Sequence, residues 1–241
     1  DVTSGLLVRR DHRVNNRLLA QALLASAAAA GAAFRTGHAV TSLLVRGGQI
    51  TGVRLASGEQ IEAPHVVLAA GAWSGQIDGL PRELPVRPVR GQMFSVDARH
   101  RSHGQVQEPV LQRVVISRRC YIIPRDDGRL IVGATVEDVG FRTGPTPAGI
   151  AGLIAAAVSM IPLIEDLPLV ETWAGFRPAT PDCLPVIGTD PDVRGLIYAT
   201  GHFRNGILLA PITAECVAAL ISGAVPPVSL DAFAISRFAA T

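Results

Sequence analysis

A chain of 241 residues that is 48% hydrophobic has room for one large domain or two small ones around a sizeable core. Its 22 basic residues, scattered arginines, stand against 20 acidic ones for a net charge of +2, which leaves no footprint for nucleic acid. No apolar run reaches membrane-spanning length, so no membrane partner is expected. The start, DVTSGLLVRRDHRVNN, is polar after a brief apolar trio and does not read as a signal peptide. Cys120, Cys183 and Cys216 are widely spaced and odd in number, which points to reduced, mostly buried thiols in a cytoplasmic protein.

In chain order, NRLLAQALLASAAAAG (residues 16 to 31) predicts a helix. Asn15 or Asn16 caps it, Gly31 ends it, and Leu19, Ala22, Leu23 and Ser26/Ala29 form a buried stripe. AVTSLLVR and QITGVRLAS predict a hairpin through Gly47-Gly48, with GEQIEA as a third strand. HVVLAAG (65–71) is a continuous apolar run that suits a strand buried on both faces. From Leu80 the chain turns proline-rich, and β runs over 105–137 predict an antiparallel sheet. Thr146 caps a helix from Pro147 to Met160. VETWAGFRPATPDCLPVIG reads as irregular, RGLIYATG as a strand, and Ile207 to Ser222 as a helix ending near Gly223. The fold class expected is α/β with an antiparallel β insertion. Its segments are 1–80, 81–170 (the antiparallel insertion) and 171–241.

Four stretches could carry chemistry. GHFRNGILLAPITAE (201–215) places a glycine-bracketed turn before a helix, whose first N–H groups and dipole favour a negative ligand atom. An ordinary connection with a solvated Arg and His fits that stretch equally. Pro211 is tolerated there in or near the first turn. Arg177, framed by Phe176, Pro178 and Trp173, needs a partner. A substrate carboxylate or an internal acid such as Glu171 or Asp182 would serve. Tyr121 faces opposite to Cys120 on a strand, either as a plain sheet tyrosine or as a hydroxyl donor to a bound carboxylate. VVLAAGAWSG ends a strand in glycine, where a ligand or a crossing loop can come near the backbone. There is no HExxH, CxxC, P-loop or GxSxG, and His12, His38, His65, His100 and His103 show no metal-ligand spacing, so no metal site is expected.

Taken together, AAGAWSG, CYIIPR…GRLIVGATVED, WAGFRPATPDCLPVIG and GHFRNGILLAP resemble the glycine oxidase branch of the D-amino-acid-oxidase family of FAD-dependent oxidoreductases, the type used in thiamine biosynthesis. The resemblance implies a two-domain FAD-binding fold, in which 81–170 is the substrate-binding domain, and a small amino-acid substrate whose carboxylate is held by Arg177, helped by Tyr121, with Arg204 lining the pocket. It also implies cofactor contacts at Val40, Gly71, His202, Phe203, Arg204, Asn205, Gly206, Ile207 and Leu208. The implied reaction is hydride transfer to flavin N5, an imine that hydrolyses to an oxo acid and ammonia, and peroxide from dioxygen; a dehydrogenase of the same fold is the alternative.

Two departures from the family pattern shape the expectations. Where related sarcosine oxidases carry a cysteine two residues after the matching arginine, this chain has Ala179, so the FAD is expected to be non-covalent. No GxGxxG is present, so the chain reads as truncated, and the protein partner expected is a second copy in a homo-oligomer or the missing N-terminal segment. A flavin-free, non-catalytic fragment is the competing reading, and weak FAD binding by this chain alone is expected.

Overall fold

The computed structural model describes residues 4–10, 12–99 and 110–238. His100, His103 and the start of the 105–137 stretch lie outside the described residues. In chain order the helices and strands are α1 (Asn16–Ala29), β1 (Val40–Arg46), β2 (Gln49–Leu55), β3 (Gln60–Glu62), β4 (Val66–Leu68), β5 (Arg87–Asp97), β6 (Val115–Ile116), β7 (Tyr121–Pro124), β8 (Arg129–Gly133), α2 (Pro147–Met160), β9 (Leu169–Ala179), β10 (Val186–Thr189), β11 (Leu196–Thr200) and α3 (Gly206–Ser222). They gather into two compact units, residues 1–32 with 90–175, and residues 33–89 with 176–241. The first helix thus belongs with the antiparallel sheet, whereas the sequence segmentation groups it with residues up to 80.

In the first unit, β6, β7, β8 and β5 pair antiparallel, and β9 borders β5. Alternate residues of these strands point to one face, where Phe94, Val96, Ile122, Leu130 and Val132 meet Leu153, Ala156 and Ala157 of α2. The Thr146 hydroxyl accepts from Gly149 N–H at 3.2 Å and caps α2 as the sequence predicts. A buried polar network backs this cap: Gln92 accepts from Thr146 N–H at 2.7 Å and donates to Glu137 at 2.7 Å, and Glu137 holds Arg90 at 2.5 Å. Helix α1 forms where expected, with Asn15 as its cap, but the expected buried stripe does not exist. No residue of α1 is buried, and Leu18, Leu23 and Leu24 are more than half exposed. Its alanines make a good helix without needing a core to cover them.

In the second unit, β1, β2 and β3 form an antiparallel meander whose Gly47-Gly48 turn has φ of 56° and 72°. Positive φ at both central residues is what a tight I′ hairpin requires. A second sheet has the order β10-β11-β4, with β11 antiparallel to β10 and parallel to β4. Its core joins Leu68, Val186, Leu196 and Tyr198 to Leu43, Ile50 and Ile235. The Tyr198 hydroxyl donates to Asp190 at 2.8 Å, and burial, reinforced by that carboxylate, raises the phenol pKa. Asp190 is satisfied further by the N–H groups of Asp192 and Val193, each at 2.8 Å, and by Arg82 at 3.3 Å.

Two expectations need correction here. The 65–71 run yields only the three residues of β4, with Val67 36% exposed, because β4 is an edge strand rather than one buried on both faces. The stretch 170–188 is irregular only over residues 180–185. It holds β9, eleven residues long, and β10, because Val170, Thr172, Trp173 and Phe176 suit a pleated strand and Pro178 falls near its end.

Candidate active site

Strand β11 delivers the chain to Gly201 at φ 76°, where a Cβ would sit 2.8 Å from Thr180 Cγ2. Only glycine fits that approach, so the 202–205 turn leaves at a fixed angle. Phe203 adopts φ 48°, and its N–H donates to the Pro178 carbonyl at 2.8 Å. Asn205 N–H donates to the His202 carbonyl at 2.9 Å, closing the turn. The His202 ring is held on the other side, with Nε2 at 3.0 Å from the hydroxyl of buried Thr213, and burial lowers its pKa. Arg204 is exposed and makes no hydrogen bond or ion pair with any described residue.

Helix α3 opens without a side-chain cap on Asn205. The N–H groups of Gly206, Ile207 and Leu208 have no partner among the described residues, and the first satisfied donor is Leu209, bonded to the Asn205 carbonyl at 2.9 Å. Ile207 is 51% and Leu208 78% exposed. Pro211 lies inside the helix rather than in its first turn, so the Ile207 carbonyl loses its regular i+4 donor as well.

Gly71 arrives at the same place from the other strand. Leu68 of β4 is paired with Tyr198 of β11 in parallel register, so both strands end side by side. The Thr200 hydroxyl donates to the Gly71 carbonyl at 3.1 Å and lies 2.7 Å from the buried Ser74 hydroxyl, stitching the two exits together. Gly71 has φ 56°, and no atom lies within 4 Å of where a Cβ would stand. Trp73, half exposed, meets Phe176 edge-on at 5.9 Å. Clefts outside the carboxyl ends of parallel strands are the usual ligand sites of such sheets. A flat ligand with hydrogen-bond acceptors along one edge matches the free N–H groups and the open glycine.

Among the predicted residues, this structure brings together Gly71 and the 202–208 turn. Arg177, half-buried on β9, is next to the Pro178 carbonyl that anchors Phe203, so its strand runs beside the turn. Val40 starts β1 on the separate meander sheet. Tyr121 belongs to the other unit. There it faces Gly133 across the β7–β8 pair, where a Cβ at 133 would fall 2.7 Å from its oxygen, and its hydroxyl lies 3.8 Å from Met93 Sδ. Sequence reasoning missed Ser74, Thr200 and Thr213; small hydroxyls at the ends of buried segments are the signal they leave. Among the described residues no cluster of His, Cys, Asp or Glu could hold a metal, and no helix is long and apolar enough to cross a membrane.

The family described as FAD dependent oxidoreductase (DAO) matches residues 1–220. The chain is 45% identical over 238 residues to a Bifunctional protein ThiO/ThiG of Trichormus variabilis, covering 99% of this chain and 35% of that protein. It is 38% identical over 213 residues to a Glycine oxidase of Pseudomonas putida, covering 88% of this chain and 56% of that one. The crystal structure of glycine oxidase from Geobacillus kaustophilus superposes with a TM-score of 0.83 at 34% identity, over 92% of this chain and 58% of that one. The chain therefore spans between about a third and three-fifths of the relatives it matches. The match over nearly its whole length, and the mixed α/β fold with antiparallel sheets, place the chain in the DAO family of FAD-dependent oxidoreductases.

Proposed function

We propose that this chain serves in an FAD-dependent amino-acid oxidase that deaminates glycine or another small amine-bearing acid. The observation that carries this reading is the convergence of Gly71 and the uncapped mouth of α3 at the carboxyl ends of β4 and β11, beside the strand bearing Arg177. The relatives named Glycine oxidase and ThiO/ThiG support the substrate class. Bound FAD supplies the two-electron acceptor for the substrate C–H bond.

The protein's own part is binding and electrostatics. The free N–H groups of Gly206, Ile207 and Leu208, with the positive end of α3, favour an acceptor edge that gains negative charge. Gly71 lets a flat ring approach the backbone, and the residues from His202 to Leu208, with Val40, line the cofactor. Arg177 holds the substrate carboxylate as a two-pronged donor, Tyr121 adds a hydrogen bond, and Arg204 lines the pocket. In this reading the amine reacts in its neutral form, no protein base is needed, and the products are an oxo acid, ammonia and peroxide.

The test is glycine-dependent peroxide release by the full-length protein and its Arg177→Ala variant. A lost charge-assisted pair is worth about 1.5–3 kcal/mol, so KM should rise roughly ten- to hundredfold. An unchanged KM removes Arg177 from the site, and turnover without peroxide removes the oxidase reading.

A further inference from the structure

Arg125 shares the lack of an ion pair with exposed residues such as Arg204, but it is itself half-buried. Arg13, Arg17, Arg82, Arg90, Arg129 and Arg237 each hold a carboxylate within 4 Å. Arg125 is half-buried and forms no ion pair with any described residue. The single hydrogen bond of its guanidinium goes from Nη1 to the Val14 carbonyl at 2.7 Å, and its Nε is enclosed without a partner among the described residues. Burial lowers its pKa, outweighing the opposing pull of nearby Asp127 and Asp126.

This guanidinium lines a cavity of about 340 Å³ between the start of α1 and the sheet of the first unit. That volume suits a small organic ligand. Its lining includes the apolar side chains of Met93, Ile131 and Leu18 and the polar ones of Asn16 and Gln21. The two acids on the wall are already committed. Glu171 takes Arg17 through two bonds of 2.7 and 3.1 Å, and Asp127 takes Arg129 at 2.7 Å; in each case the arginine pulls the carboxyl below its usual pKa. With Arg17 and Arg129 neutralised in this way, the cavity keeps one positive charge in excess, at Arg125.

We propose that this cavity is a binding site for a small carboxylate with an apolar body, whose acid group pairs with Arg125 and whose body rests on Met93, Ile131 and Leu18. Apolar lining beside a cation that lacks an ion pair discriminates against bare anions, which leave the apolar lining unused, and against neutral molecules, which leave the cation unpaired. The site lies within the first unit.

The probe is 3-phenylpropionate, titrated calorimetrically into the protein, with 3-phenylpropanol and inorganic phosphate as comparison arms. The acid is expected to bind about tenfold or more tightly than either comparison, the size of one charge-assisted hydrogen bond. Arg125→Gln is expected to abolish that preference. Because Arg125 also secures the Val14 carbonyl, Gln21→Glu provides a second variant that sets a negative charge on the cavity lining and leaves that bond intact; the same loss is expected. Absence of binding, equal binding of acid and alcohol, tighter binding of phosphate, or full acid affinity in folded forms of both variants overturns the proposal.

Discussion

Gly201 and His202 show how tightly single positions are constrained at the candidate site. Gly201→Ala adds a methyl 2.8 Å from Thr180 at φ 76°, so a loss of about 1–3 kcal/mol is expected. A lowered urea midpoint would register it, and an unaltered midpoint would mean that the turn relaxes freely. His202 carries a pH prediction. Its folded pKa is below the ordinary 6.5, so the unfolded chain binds the proton first. Stability therefore falls as pH drops from about 6.5 toward the depressed value. His202→Gln should flatten this part of the urea-midpoint profile, whereas the contribution of Asp182 and Glu171, whose arginine partners lower their pKa values, is lost only at more acidic pH; a profile identical to that of the parent near pH 6.5 would remove His202 as its source.

Among the elements, the helices were the most legible, because their ends are written locally. Thr146 before Pro147 marks α2, and Gly223 at φ 72° ends α3. Thr146→Ala should cost about 1–2 kcal/mol, since it removes the cap of Gly149 and the hydroxyl that receives Gln92 at 3.2 Å. Equilibrium unfolding would show this, and a change below a few tenths of a kcal/mol would mean that the Gln92 network alone holds the cap. Strand β9 was not legible because its pairing with β5 is long-range, while the prolines and glycines around it speak locally for a loop. The stripe on α1 failed for the opposite reason. Alanine and leucine set helix propensity, but only neighbours decide which face is covered, and no residue of α1 is buried.

At the level of the whole molecule, the candidate site was legible as motifs and not as an assembly. Gly71 and His202 could be singled out in the sequence, but their meeting depends on the parallel register of Leu68 with Tyr198 and on the hydroxyls of Ser74 and Thr200, which no local pattern announces. Since the 241 residues contain no GxGxxG to cradle a diphosphate, the isolated chain is expected to retain FAD weakly. Stoichiometric visible flavin absorbance after gel filtration would contradict that.

The partnership of β4 with β11 also sets an order of events during synthesis. The first unit is complete once the ribosome has passed residue 175, whereas Leu68 must wait for Tyr198. Closing so long a loop is slow relative to local pairing, so the nascent chain carries β4 without its partner until β11 has been made. The cleft at the carboxyl ends of β4 and β11 should therefore form after the first unit.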